Sequence, residues 1–441
     1  AVFHGRPSVG RFMGSSSVKP VKVGICGLGT VGGGTFNVLQ RNAEEIARRA
    51  GRGIEVAQIA TRTPKPQFQT TGIAITNDVF EVATNPEIDI VIELMGGYTV
   101  ARELVLKAIE NGKHVVTANK ALIAVHGNEI FAKAREKGVI VAFEAAVAGG
   151  IPVIKALTEG LAGNQMRRVM GVMNGTCNYI LTRMETAGLP YDQVFEEARQ
   201  LGYLEADPNL DVGGIDAGHK LALLASIAFG TKVAFSDVVL EGIGRISIDD
   251  IRRAGDMGYK IKLLGVAQMT GRGLEQRMTP CLVPAGSPLG QLQGGTNMVV
   301  LEGDSVGQIV LRGAGAGEGP TASAVMSDVL DIARGTRLST FGQPASTLKD
   351  SAPAQVAAAA PYYLRMELLD KPGALAKITA VLGEAGISIS RMRQYGHDDT
   401  SAPVLIVTHK TTRDAIDFAI GKMPATAVVN GEPIAIRIEE V

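Results

Sequence analysis

Five short, nearly unbroken apolar runs punctuate the first third of the chain: VKVGICG at 21–27, IEVAQIAT at 54–61, IDIVIEL at 88–94, KHVVTA at 113–118 and VIVAFEA at 139–145. Strands covered on both faces need apolar side chains at successive positions, so this pattern predicts buried parallel strands. Stretches of helical spacing separate them at 35–50, 101–111 and 130–137. Strand–helix alternation of this kind predicts an α/β unit, a doubly wound parallel sheet with ligands gathered beyond the carboxyl ends of its strands. From 151 to 345 the pattern is mixed. Helical periodicity at 191–201, 214–229 and 320–334 is interleaved with strand candidates at 259–269, 278–283 and 307–312, which predicts an α+β domain. The tail reads strand 362–370, helix 373–385, strands 387–395 and 403–409, helix 411–423 and strand 433–438. That βαββαβ order predicts a small, ferredoxin-like two-layer unit. The stretch before it, QPASTLKDSAPAQVAAAAP at 343–361, reads as a linker.

Composition sharpens this division. Glycine is abundant, 54 of 441 residues, but only 6 of those fall after residue 345, which marks the tail as a different kind of object. The 44 cationic and 44 anionic side chains cancel, which argues against nucleic acid or an anionic membrane surface as partner. The longest apolar run, 221–229, falls far short of the roughly 20 residues a membrane span needs. Three scattered cysteines, Cys26, Cys177 and Cys281, offer neither a disulfide framework nor metal-ligand spacing, and fit reduced thiols in a cytoplasmic protein. The first residues lack an apolar signal core and read as a flexible leader. The expected organisation is leader 1–20, dinucleotide-binding domain 21–150, substrate-binding and dimerisation domain 151–345 with a helix at 320–340 returning to the first, linker 346–361, and regulatory tail 362–441.

After the first strand stands Gly27-Leu28-Gly29-Thr30-Val31-Gly32, followed by helical sequence. This is G-x-G-x-x-G in its required setting, a Rossmann-type phosphate loop. Gly27 allows the tight turn, Gly29 close approach of a pyrophosphate, and Gly32 close packing of helix on strand. At the end of the second strand, where an NAD site carries an acid, Arg62 and Lys65 stand instead. Cations there suit a 2′-phosphate, so NADP is expected, with NAD as the alternative. The fourth strand ends at Lys120, beside the same crevice. After the fifth, Glu144 and the small-residue segment Val147–Gly149–Ile151 offer a carboxylate and several carbonyls, the ligand set of a hard cation, or else a crossover that needs glycine.

The stretch at 201–224 is the most informative. Glu205, Asp207 and Asp211 lie around Pro208 on a turn-rich loop, where the two aspartates suit loop capping. Asp216 and Lys220 follow at i and i+4 on one helix face that continues as Leu223, Leu224 and Ile227. A lysine on a buried stripe is costly unless paired, and such lysines serve as acid–base catalysts for alcohols or carbonyls. A structural ion pair at a helix start is the other reading. Asn174 to Asn178 form a polar turn before a helix, and a second glycine-rich loop at 313–319 opens another.

Taken in order, GLGTVG (27–32), ANKA (118–121), EAAVAGGIP (144–152), NGTCNYI (174–180), GYLEADPNLDVGGIDAGHK (202–220) and GAGAGEGPTA (313–322) resemble homoserine dehydrogenase. The resemblance implies NAD(P)-dependent interconversion of L-homoserine and L-aspartate 4-semialdehyde, in threonine, methionine and isoleucine biosynthesis. It implies Lys220 as proton donor and acceptor, positioned by Asp216. Glu205 would bind substrate, with Thr176, Tyr203 and Asp211 in the pocket. Lys120 would lie by cofactor and substrate, Gly317 by the cofactor. Glu144 with the carbonyls of Val147, Gly149 and Ile151 would hold a monovalent cation, sodium or potassium. The tail resembles an ACT domain through LDKPGAL (369–375) and GISI (386–389). That implies an amino-acid effector, L-threonine, near Asp370, Gly373, Ala374 and Ile387, and a homodimer or homotetramer. Two other readings stand beside these: a dihydrodipicolinate reductase-like enzyme, or a non-catalytic amino-acid and nucleotide sensor.

Overall fold

The structure is a computed structural model and describes residues 18–354, 357–396 and 401–440. Residues 1–17 of the expected leader and residues 355–356 of the expected linker lie outside the described residues.

The first unit runs β1 (Val21–Cys26), α1 (Thr30–Arg41), α2 (Ala43–Ala50), β2 (Ile54–Ala60), β3 (Ala74–Thr76), α3 (Val79–Thr84), β4 (Ile90–Glu93), α4 (Thr99–Glu110), β5 (His114–Thr117), α5 (Lys120–Lys137) and β6 (Val141–Ala142). Its parallel sheet has the order β3-β2-β1-β4-β5-β6, so the topological switch point lies between β1 and β4. The apolar runs are continuous because both faces are covered. Val23, Ile25, Ile59 and Ile92 pack under α1, while Cys26, Val91 and Val115 pack with α4 and α5 residues such as Leu104 and Leu122. The helix expected at 35–50 starts earlier and is broken at Asn42 (φ −107°, ψ 19°), giving two helices. Its early glycines are tolerated because neighbours fill their surface: a Cβ at Gly34 would meet the Glu318 side chain at 2.3 Å.

The second unit continues with α6 (Val153–Lys155), β7 (Met166–Val172), α7 (Gly175–Ala187), α8 (Tyr191–Gln200), α9 (Pro208–Val212), α10 (Ile215–Phe229), β8 (Val239–Leu240), α11 (Ile248–Asp256), β9 (Tyr259–Thr270), β10 (Gly273–Pro284), β11 (Thr296–Gly303), β12 (Gly307–Ala314) and α12 (Glu318–Arg334). Every residue of α10 from Asp216 to Ile227 is buried, which its near-continuous apolar sequence requires. It packs on β9 and β10 and against α5 of the first unit. Helix α12 returns to the first unit, where Ala324, Val325 and Val329 share a core with Phe36 and Ile25; it ends at Arg334, before Gly335 (φ 80°), rather than at 340.

The tail is β13 (Tyr362–Leu369), α13 (Ala374–Glu384), β14 (Ile389–Gln394), β15 (Ser401–Thr408), α14 (Arg413–Lys422) and β16 (Val429–Ile438). Its sheet is not isolated. β16 pairs with β10 at Cys281–Arg437 and Leu282–Ile438, so the strands run on as β12-β11-β7-β9-β10-β16-β13-β15-β14. The segment expected to be a linker is anchored over its described residues: Leu274 N–H donates to Ala352 O (2.9 Å) and Ala354 N–H to Leu274 O (3.0 Å). Among the described residues no helix is long and apolar enough to cross a membrane.

Candidate active site

The glycine loop lies where the sheet order places a ligand. Gly27 has φ 99°, reachable by glycine at little cost, and a Cβ at Gly32 would stand 1.9 Å from Gly27 O. A Cβ at Gly29 would meet nothing within 4 Å, so space is open above the start of α1, whose first N–H groups have no intrahelical acceptor. A cleft of about 540 Å³ opens there, walled by Gly27, Leu28 and Gly29, by the β2 turn with Arg62 and Lys65, and by Leu94, Met95 and Gly96. The cradle, the anion-seeking helix start and the two cations together fit a phosphorylated dinucleotide. Thr30 and Val31 occupy the first helical turn, and Gly317 (φ 114°) caps α12 in the second glycine loop. That second loop touches the crossover after β6: a Cβ on Gly149 would meet Gly315 C at 2.5 Å, and Gly150 N–H donates to Ala314 O (3.1 Å).

Where α5 meets α10, three charged side chains converge. Asp216 Oδ2 accepts from Lys220 Nζ at 2.8 Å, and Asp216 Oδ1 lies 2.8 Å from Lys120 Nζ. Lys220 Nζ also donates to Met173 O at 2.8 Å. Burial would raise the Asp216 carboxyl pKa, but the two ammonium groups outweigh it and hold the group well below the usual carboxylate range. For Lys120, burial lowers the pKa and Asp216 raises it; the carboxylate wins. Asn174, the N-cap of α7, donates from Nδ2 to Asp211 Oδ1 (2.9 Å) and Asp216 Oδ2 (3.3 Å). Asp211 in turn takes the Glu205 N–H at 2.9 Å. Glu205, with a half-exposed side chain, stands 3.9 Å from Lys120; burial raises its pKa, and Lys120 opposes that. Thr176 Oγ1 donates to Tyr203 O at 2.8 Å, and the exposed Tyr203 ring packs on Tyr179. Asp207 caps α9 as its loop position suggests. His219 turns away onto Phe235, and burial depresses its pKa to about 4.

Thus Lys120, Thr176, Tyr203, Glu205, Asp211, Asp216 and Lys220 share one site, to which the structure adds Asn174 and the Met173 carbonyl. The reading of the sequence also passes over Glu93. This carboxyl ends β4, is fully buried, and accepts from Met95 N–H (2.8 Å) and Thr117 Oγ1 (2.5 Å). The acid set next to last in the apolar run IDIVIEL is the signal that marks it.

Glu144 aims its carboxylate at the start of α6. Its carboxylate takes the Ile154 and Lys155 N–H groups at 2.9 Å each, while burial and then Asp328 push its pKa up to about 7. The carboxylate expected as a cation ligand thus already anchors the backbone at Ile154 and Lys155, with a further lone pair on each oxygen. Ile151 O already accepts from Val153 N–H (2.8 Å), leaving Val147 and Gly149 as the more open oxygens. Ala148 and Gly149 both have left-handed φ, 56° and 55°. For alanine that costs about 1–2 kcal/mol.

In the tail, a cavity of about 420 Å³ is lined by Asp370, Lys371, Gly373, Ala374, Leu375 and Gln394, among others. Ala374 N–H closes a turn on Lys371 O (3.1 Å), so an incoming carboxylate would meet Gly373 and the next N–H groups of α13 instead. Ile387 does not line this cavity. It belongs to the tail core, 5% exposed, with its N–H donated to Leu382 O at 2.8 Å.

Comparison with known proteins adds the following. Family models described as homoserine dehydrogenase and as its NAD binding domain match residues 152–330 and 27–144, and an ACT domain model matches 362–417. A homoserine dehydrogenase of Pseudomonas aeruginosa is 53% identical, spanning 96% of this chain and 100% of that one. One from Neisseria gonorrhoeae is 45% identical, again over 96% and 100%. The crystal structure of a homoserine dehydrogenase from Thiobacillus denitrificans is similar with TM-score 0.90 and 46% identity, covering 96% of this chain and 99% of that one. A hyperthermophilic archaeal homoserine dehydrogenase mutant in complex with NADPH gives TM-score 0.61 at 26% identity, over 71% and 97%.

Proposed function

Because the chain belongs to the homoserine dehydrogenase family, we propose that Lys220 is the acid–base group of a reversible, nicotinamide-dependent oxidation of L-homoserine to L-aspartate 4-semialdehyde. Family membership makes the chain an NAD(P)-dependent oxidoreductase and sets aside the reductase and sensor readings. The observation that carries the assignment is the Lys220–Asp216–Lys120 centre, with Asp216 and Lys220 buried and both Asp216 oxygens 2.8 Å from an ammonium. An ammonium has three N–H groups. Lys220 spends two on Asp216 and Met173 O, which leaves one for the substrate oxygen. In the reducing direction that N–H gives its proton to the carbonyl oxygen as it becomes a hydroxyl; in the oxidising direction the neutral amine, its lone pair aimed at the same oxygen, takes the hydroxyl proton and becomes the ammonium. Asp216, held ionised, keeps the lysine in place and its charge compensated. Glu205 and Lys120 stand at the mouth, suited to the substrate ammonium and carboxylate respectively, with Thr176, Tyr203 and Asp211 shaping the pocket. The nicotinamide, when bound, exchanges the hydride with the substrate carbon.

Arg62 and Lys65 on the cleft wall support NADP over NAD. Main-chain oxygens at Val147, Gly149 and Ile151 suit a sodium or potassium ion, with Glu144 shaping the loop. The tail cavity suits L-threonine as feedback inhibitor, and the exposed edge strand β14 suits pairing of two tails in a homodimer or homotetramer. The protein would then act in the cytoplasm, in amino-acid biosynthesis.

Reduced-nicotinamide absorbance with homoserine, run separately with NAD and NADP and with threonine added, tests this reading. Turnover is expected with both coenzymes, with higher kcat/KM for NADP and inhibition by threonine. Lys220→Ala should lower kcat by about 10³-fold or more while NADPH still binds. Near-normal turnover in that variant would sink the assignment.

A further inference from the structure

No step above uses Glu93, yet its carboxyl holds two pieces of the site. One oxygen accepts from Met95 N–H at 2.8 Å, fixing the turn at 94–97, whose Leu94, Met95 and Gly96 wall the coenzyme cleft. The other accepts from Thr117 Oγ1 at 2.5 Å. Thr117 Oγ1 itself accepts from Asn119 N–H at 2.9 Å. Asn119 caps α5 by accepting from Leu122 N–H at 3.1 Å, and its Nδ2 donates to Gly97 O at 2.6 Å, which closes the ring. The next residue is Lys120.

We propose that Glu93 is a positioning residue that locks the coenzyme wall to Lys120, so that one buried carboxyl sets both coenzyme fit and the seat of that lysine. The proposal rests on the cleft and Lys120 readings given above. Both Glu93 oxygens must accept, and an amide in its place would turn an NH₂ toward Met95 N–H or Thr117 O–H. A buried donor left unmet costs a factor of ten or so. Burial also pushes Glu93 up to about 7. From β1 the Cys26 thiol faces it, kept protonated by burial; Thr117 meets it from β5 and Asn119 from the α5 cap.

The experiment is steady-state kinetics of the full chain carrying Glu93→Gln, across pH 5.5–9. Coenzyme KM should rise about tenfold and kcat fall by a similar factor, with homoserine KM rising as well because Lys120 loses its seat. The step in the wild-type profile near pH 7 should flatten. Thr117→Val should reproduce these changes, and Thr117→Ser, which keeps the hydroxyl, should return the constants to wild-type values. Wild-type constants in Glu93→Gln overturn the proposal. So does a loss that only tracks the folded fraction and is equal in both Thr117 variants. Lys220→Ala, run alongside, separates the two levels. If it stays active, the site reading falls; if it is dead while Glu93→Gln is normal, this proposal alone falls.

Discussion

Asp216 shows how a buried carboxylate stays charged: two lysines 2.8 Å away more than repay its desolvation. Glu93 is the opposite case, a buried carboxyl with hydroxyl and amide partners, and its pKa climbs to about 7. The two therefore act on stability in different pH ranges. An acid whose folded pKa exceeds its unfolded value binds more protons when folded. The stability it contributes is complete below about pH 4 and is lost as pH rises through 7. Urea melts of the wild type and Glu93→Gln at pH 5 and pH 8.5 should show the difference between the two proteins changing by about 3 kcal/mol, against the wild type at the higher pH. A constant difference would mean that Glu93 does not change charge in this interval.

At the level of elements, the strands and helices that carry chemistry are those whose sequence is least ambiguous. The 21–27 run with its glycine loop, and the i,i+4 pair on α10, are local patterns, and local patterns are legible. Strand β3, with 3 residues, and helix α3, with 6, are too short to build a periodic signal. Strand β7 opens Met166-Arg167-Arg168, and its charges mask its apolar half; Arg168 is explained by Glu302 at 2.8 Å on the neighbouring strand and by the tail's Glu439 and Glu440, all distant in sequence. The meeting of Lys120 with Asp216 has no local signal and is implied only by the family resemblance, since it depends on α5 packing against α10 across almost a hundred residues of chain. The commitment of the Glu144 carboxylate to Ile154 and Lys155 N–H groups is likewise a product of the three-dimensional turn. The β2 turn offers a sharp test at this scale. Arg62→Ala should raise KM for NADP by about tenfold, the worth of a charge-assisted phosphate contact, and leave KM for NAD nearly unchanged. An equal effect on both coenzymes would place Arg62 outside the 2′-phosphate site.

Across the whole molecule, the tail joins the body through a short pairing of β16 with β10 and a buried ionic cluster beneath it. Arg277 pairs with Glu275 at 2.9 Å and with Glu439; Arg437 meets Glu439 at 2.5 Å, and Arg168 adds a contact at 3.7 Å. Nearby, Arg365 of the tail reaches the fully buried Asp250 of α11. Removing one member of such a cluster strands its partners, at a cost of about 3 kcal/mol. Glu439→Gln should therefore speed amide exchange in β16 by on the order of a hundredfold while leaving β1 and β4 unaffected. Uniform acceleration through the chain, or none, would remove the cluster as the joint between tail and body. The Asp216 centre has a consequence of a different sort. Its two oxygens are held by lysines from separate units, Lys120 at the start of α5 and Lys220 on α10, so neither unit owns the site. Any exchange of gene segments between relatives that draws α5 from one parent and α10 from another must inherit a matched seam as well as matched residues. The natural breakpoint for building hybrids of this enzyme thus lies after α12, before the tail begins at β13, rather than at the chain's more obvious boundary near residue 150.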